Sequence, residues 1–155
     1  MFIGISEHSL DAKNRVFVPK RILDFLPFAS DGTRVAYLTS GPDGCVYLFS
    51  EAGWKAALSQ LNTGAFEGAE QRAAQRLFFS HAARIELDGS GRLLIPEMLR
   101  KRAGLEKEVV MVGVENRTEL WSRERWEKFS EENLRLLEEI DSVMRKPASA
   151  SNVVG

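Results

Sequence analysis

The sequence predicts an α+β fold, mainly β, built from two tandem copies of one small unit with linking helices and a C-terminal helix. Three observations carry this. LDAKNRVFVP at residues 10–19 returns as LDGSGRLLIP at 87–96. Leu48, Phe49 and Ser50 followed by Trp54 return as Leu120, Trp121 and Ser122 followed by Trp126. The first pair is offset by 77 residues and the second by 72, in the same chain order. A duplicated unit whose first copy is five residues longer gives both offsets, and residues 28–34 are the expected place for the extra length.

Within each copy the elements read in order. Ile3 and Ile5, and then Arg84 to Leu87, alternate as short strands do. Asp11 to Asn14 and Asp88 to Gly91 are turn chemistry, predicting a hairpin-like connection to the next strand. Val16 to Val18 and Leu93 to Ile95 are continuous apolar runs, the signature of a buried strand. Pro19 and Pro96 suit the first position of short helices, and Gly104 closes the second of these. Tyr37 to Thr39 with Val46 to Phe49, and Val109 to Val114 with Glu119 to Trp121, supply two more strands per copy. Ser50 and Ser122 are N-cap candidates for helices carrying Trp54 and Trp126, two expected core residues. Residues 51–81 read as two helices broken near Thr63 and Gly64. Trp126, Phe129, Leu136, Leu137, Ile140 and Met144 predict one helix to about residue 146, stopped by Pro147 ahead of a mobile tail. A four-stranded unit of about 45 residues buries little surface alone. The two copies are therefore expected to pair about a pseudo-twofold axis.

Composition narrows the classes. No apolar run approaches the roughly 20 residues of a membrane span, and the N-terminus lacks the pattern of a signal peptide. The single Cys45 cannot form an intrachain disulfide or a cysteine-rich zinc site, and fits a cytoplasmic location. The net charge of −1 neither advertises nor excludes a nucleic-acid partner. Phosphate-loop, dinucleotide and zinc patterns are missing, and His8 and His81 have no partner at a ligand or nucleophile spacing. No catalytic set, metal, cofactor or small-molecule substrate is expected.

The repeated Asp-x-x-x-Arg turns admit four uses. The structural one has each aspartate accepting turn N–H groups and the arginine closing over it. Paired carboxylate catalysis of the acid-protease type needs Asp-Thr-Gly or Asp-Ser-Gly, which these turns lack. A calcium loop would place Arg92 at a ligand position. A pair of cationic loops gripping phosphates and base edges suits arginine, whose planar fork matches phosphate and guanine. Lys13, Lys20 and Arg21 around Arg15, with Arg100, Lys101 and Arg102 after Arg92, favour that use. The acidic residues Glu124, Glu127, Glu131, Glu132, Glu138, Glu139 and Asp141 gather on the last helix, so the near-zero charge conceals a dipolar distribution.

The doubled motif, covering roughly residues 1–130 with the stretch Gln75 to Ala82 between its copies, resembles the MraZ family of bacterial transcriptional regulators. The resemblance implies two AbrB-like (SpoVT-AbrB) swapped-hairpin units forming a pseudo-twofold β-barrel. Their bounds are expected at 5–54 and 82–126, with a helical connector at 55–81, a C-terminal helix at 127–146 and a flexible tail at 147–155. It further implies a ring-shaped, octamer-like homo-oligomer in the cytoplasm and nucleoid. Such a ring binds repeated boxes in double-stranded DNA upstream of a division and cell-wall gene cluster, and represses that cluster. On this reading Arg15, Arg92, Lys13, Lys20, Arg21 and Arg100 contact DNA, while Asp11, Asn14, Asp88 and Gly91 shape the turns. The family's first copy commonly reads Gly-Arg where this chain has Asn14 and Arg15, and asparagine tolerates the same left-handed backbone. A ring-forming scaffold that docks another protein is the rival from a different class.

Overall fold

The computed structural model describes residues 1–148. In chain order the elements are β1 (Ile5–Ser9), β2 (Arg15–Phe17), α1 (Lys20–Leu23), β3 (Val35–Ser40), β4 (Val46–Phe49), α2 (Glu51–Ser59) and α3 (Ala69–Ser80). The second copy repeats the pattern with β5 (Ala83–Glu86), β6 (Arg92–Leu94), α4 (Glu97–Arg102), β7 (Glu108–Val114) and β8 (Arg117–Ser122). Then come α5 (Arg123–Asn133), a 3₁₀ segment (Leu134–Glu139) and α6 (Ile140–Met144).

The strands pair across the copies. A six-stranded sheet runs β1-β7-β8-β4-β3-β5, and a separate two-stranded ribbon joins β2 to β6. All pairings are antiparallel. Exchanging the two copies reverses the sheet order and reproduces it. The registers agree, since Tyr47 faces Glu119 at the sheet centre and Val16 faces Leu93 at the ribbon centre.

This corrects three expectations. The turns at 11–14 and 88–91 do not close hairpins, because β1 and β2 lie in different sheets, as do β5 and β6. Burying Val16 against Leu93 requires the two copies to face each other there, and each turn redirects its chain to that meeting. The sheet ends at β1 and β5 without closing into a barrel. The extra length is also divided. Equivalent residues are 77 apart at Arg15 and Arg92, 73 at Ala36 and Val109, and 72 at Leu48 and Leu120. Four of the five extra residues thus lie between β2 and β3, and one in the β3–β4 turn.

The core forms between the ribbon, the short helices and the sheet. Val16, Val18, Ile22, Leu38, Leu48, Leu93, Ile95, Leu99, Met111 and Leu120 are all buried in one cluster. Pro19 and Pro96 sit one residue earlier than expected, as the caps of α1 and α4. Ser50 caps α2 by accepting the Gly53 amide at 3.0 Å. Tyr37, Trp54 and Phe78 stack in series, at 5.7 and 5.6 Å between centroids, and hold α2 and α3 to β3. Trp126 differs from its counterpart: it is only partly buried and stacks on Phe129.

From Glu124 the chain forms a second compact unit. The single helix expected there is interrupted by the 3₁₀ segment, and α6 ends at Met144. Leu134, Leu137 and Ile140 are exposed, so little packing holds this stretch in one regular helix. Pro147 and Ala148 carry no regular structure, and the remaining tail at 149–155 lies outside the described residues.

Candidate nucleic-acid interface

The two Asp-x-x-x-Arg turns have the same construction. In the first, Asp11 Oδ1 accepts the amides of Lys13 and Arg15, each at 2.9 Å, and Oδ2 accepts Arg15 Nε at 2.8 Å. In the second, Asp88 Oδ1 accepts the amides of Ser90 and Arg92, each at 2.9 Å, and Oδ2 accepts Arg92 Nε at 2.7 Å. The backbone closes alike: the Asn14 amide donates to the Asp11 carbonyl and the Gly91 amide to the Asp88 carbonyl, both at 3.0 Å. Asn14 has φ 60° and Gly91 φ 79°, the left-handed conformation that asparagine and glycine tolerate best. The amide of the following arginine, and then its guanidinium, hold each aspartate carboxyl below its ordinary range against a smaller opposing effect of desolvation. The aspartates are thus turn formers.

The turns also lock the copies together. The Asn14 carbonyl accepts the Ile95 amide at 3.2 Å, and the Gly91 carbonyl accepts the Val18 amide at 3.0 Å. Arg15 faces Leu94 across the ribbon, and Arg92 faces Phe17. Because strand side chains alternate, these four residues share one face while Val16 and Leu93 occupy the other. Phe17 is 59% exposed and Leu94 51%, so the ribbon is not buried on both faces as its apolar sequence suggested. Arg15 and Arg92 are diagonal neighbours on that outer face, about 7–8 Å apart between Cα atoms. The Arg92 guanidinium lies 5.8 Å from the Phe17 ring centroid. Of the side-chain nitrogens of each arginine, only Nε has a hydrogen-bond partner among the described residues.

The other predicted cations are placed unequally. Lys13 is exposed at the tip of the first turn. Lys20 pairs with Asp24 at 3.2 Å on the surface of α1. Arg21 is engaged inside the protein, donating to the Ile3 carbonyl and to Ser6 Oγ, both at 2.8 Å, and so ties α1 to β1. Arg100 is partly buried, with its Nε enclosed and unpartnered. Arg34 and Lys107, absent from the sequence-based set, lie next to the second and first turns; only the four-residue shift between copies brings these two into alignment.

Other chemistry is quiet. Cys45 is buried, and burial, then Glu119 and Asp43, push its thiol up to about 12. His8 is partly buried with Nε2 at 2.7 Å from Ser6 Oγ, and burial, then Arg21, lower its pKa. Among the described residues no cluster of three or more metal-ligating side chains occurs, and no helix is long and apolar enough to cross a membrane.

The comparisons agree with this division into copies. The family model of the MraZ protein, described as antitoxin-like, matches twice, at residues 1–77 and 78–145. A "Transcriptional regulator MraZ" of Heliobacterium modesticaldum is 41% identical over 140 residues, spanning 90% of this chain and 94% of the relative. Relatives of the same name from Clostridium beijerinckii (39% over 146 residues, 94% and 96%) and Symbiobacterium thermophilum (41% over 138 residues, 89% and 96%) are similar. With two matches that follow the structural repeat and relatives named as regulators rather than enzymes, the chain belongs to the MraZ family.

Proposed function

We propose that this chain is a sequence-specific DNA-binding transcriptional regulator. The carrying observation is the pair of Asp-braced arginines, Arg15 and Arg92, on one exposed face of a two-stranded ribbon. A major groove admits such a ribbon, and arginine forks read guanine O6 and N7. Their separation of about 7–8 Å corresponds to roughly two base steps at about 3.4 Å each. On this reading Lys13, exposed at the tip of the first turn, adds positive charge beside Arg15. The charge of Lys20 is matched by Asp24, Arg100 is partly enclosed, and Arg21 acts through its bonds to Ile3 and Ser6. The names of the relatives support the regulatory role.

The finer picture follows the family resemblance. The cross-copy pairing of β1 with β7, β2 with β6 and β5 with β3 supports the swapped-hairpin description of the two units. One protomer offers few phosphate contacts, so its affinity alone is poor. A ring-shaped homo-oligomer sets many ribbons against repeated boxes, raising effective concentration. Phe66, fully exposed, with Leu61, Leu77 and Phe79 nearby in sequence, supplies apolar surface for assembly. On this reading the protein works in the cytoplasm at the nucleoid, on boxes upstream of its own division and cell-wall gene cluster, as a repressor. Footprinting the purified protein on DNA upstream of its own gene tests this. Protection of evenly spaced short boxes supports it; no protection at low salt, with the protein folded, refutes it in favour of a docking scaffold.

A further inference from the structure

Each turn has a neighbour supplied by the opposite copy. The Arg34 carbonyl, just before β3, accepts the Leu87 amide at 2.9 Å, and Leu87 immediately precedes Asp88. The Lys107 carbonyl, just before β7, accepts the Leu10 amide at 2.8 Å, and Leu10 immediately precedes Asp11. Arg34 and Lys107 are therefore equivalent positions, each fastened beside the turn of the other copy. Both are cations, and among the described residues neither makes an ion pair or a side-chain hydrogen bond.

Arg34 is the more constrained of the two. Its guanidinium carbon lies 4.2 Å from the Phe28 ring centroid, and its Nε is enclosed without a hydrogen-bond partner. It borders a cavity of about 420 Å³ whose lining includes the longer first-copy connection (Gly32 and Thr33) and the second turn (Asp88 to Gly91). A guanidinium keeps its charge at any working pH and carries five donors. Stacking on Phe28 limits its rotation without using those donors. The Asp88 carboxylate on the same wall is already matched by Arg92 Nε at 2.7 Å, so it does not compete for Arg34.

We infer that Arg34 is a phosphate-binding residue, taking a DNA backbone phosphate beside the second turn while Arg92 faces the base edges. This rests on the DNA-binding reading above. It also gives the duplication a second meaning, since each turn would carry a base-reading arginine from its own copy and a backbone-anchoring cation from the other.

The test compares Arg34→Gln and Arg34→Lys with wild type on promoter DNA and on an unrelated duplex of equal length, across a salt series. Glutamine keeps much of the stem over Phe28 and removes the charge. Arg34→Gln should reduce the log–log salt slope by about 0.9 per engaged protomer. It should weaken both DNAs by the same factor, leaving their ratio unchanged, and Arg34→Lys should restore the slope. Wild-type slope and affinity in Arg34→Gln overturn the inference while leaving DNA binding intact, as does a loss confined to the promoter sequence. Titration of the DNA-free protein with inorganic phosphate, followed at the amides of Gly89 and Gly91, separates the source. Arg34-dependent saturation there, with an unchanged DNA slope, assigns the cavity to a free anion and overturns the DNA contact. A wild-type protein that binds neither duplex removes the DNA reading and this inference with it.

Discussion

Replacing Asn14 by valine tests whether the first turn positions Arg15. Asn14 holds φ 60°, a conformation that penalises a β-branched residue by roughly 1–2 kcal/mol. The escape is a negative φ, which sacrifices two hydrogen bonds: the Asn14 amide to the Asp11 carbonyl at 3.0 Å and the Ile95 amide to the Asn14 carbonyl at 3.2 Å. At about 1 kcal/mol each, that route costs as much as the strain it relieves. Asn14→Val should therefore lose about 2 kcal/mol, a fall of about 4–8 °C in Tm for a chain of this size. Asn14→Gly, which matches Gly91 of the second turn, should stay within about 1 kcal/mol of wild type. DNA affinity should drop more than stability does, because Arg15 Nε takes its direction from Asp11 across that same turn. Thermal unfolding of both variants, with binding to promoter DNA at one salt concentration, measures the two effects. An Asn14→Val protein as stable as wild type and binding as well would refute the claim that a left-handed residue sets this loop.

Cys45 should resist a thiol reagent at pH 8 in the native protein and react fully once unfolded, since its thiol is buried and pushed up to about 12; rapid native labelling contradicts this. Asp11 and Asp88 should titrate below the ordinary aspartate value of about 3.9, measured at their carboxyl carbons by NMR. A depressed folded value means that their stabilising contribution is complete above the ordinary value and is lost as pH falls through the lowered one. Asp11→Asn and Asp88→Asn should accordingly flatten acid unfolding at the low end, and midpoints at or above the ordinary value would contradict the assignment. Trp54→Ala should cost about 3–5 kcal/mol, because it removes the middle ring of the Tyr37–Trp54–Phe78 stack; a loss under 1 kcal/mol would deny that stack its role in holding α2 and α3.

Much of the local structure was legible because turn chemistry is local. Asp11 with Asn14, and Asp88 with Gly91, specify both turns from four residues each, and the closure of each arginine over its aspartate was one of the uses their spacing offered. Pairing was not legible. Nothing in residues 5–17 says that β1 leaves β2 and joins β7 (Glu108–Val114), since that choice is made by burial against the other copy. The exposure of the ribbon's outer face was not legible for a related reason. Its outward residues Phe17 and Leu94 are apolar, so a half-exposed strand has the pattern of a fully buried one. Arg21 resembled a surface cation, but its bonds to Ile3 and Ser6 depend on where α1 packs. The placement of Arg34 beside the second turn was not legible because the repeat loses its 77-residue offset before reaching it.

The central claim is that the two Asp-braced arginines grip DNA, and the double variant Arg15→Ala/Arg92→Ala tests it most directly. Both arginines are partly exposed, so the surface ion pairs lost are each worth no more than about 1 kcal/mol, and the fold should survive. Each lost base-edge fork should cost about 1–3 kcal/mol, multiplied across an oligomer. Binding to the promoter DNA, measured beside circular dichroism and light scattering, should fall by at least a hundredfold with spectrum and assembly unchanged. Wild-type affinity in a folded double variant would contradict the account.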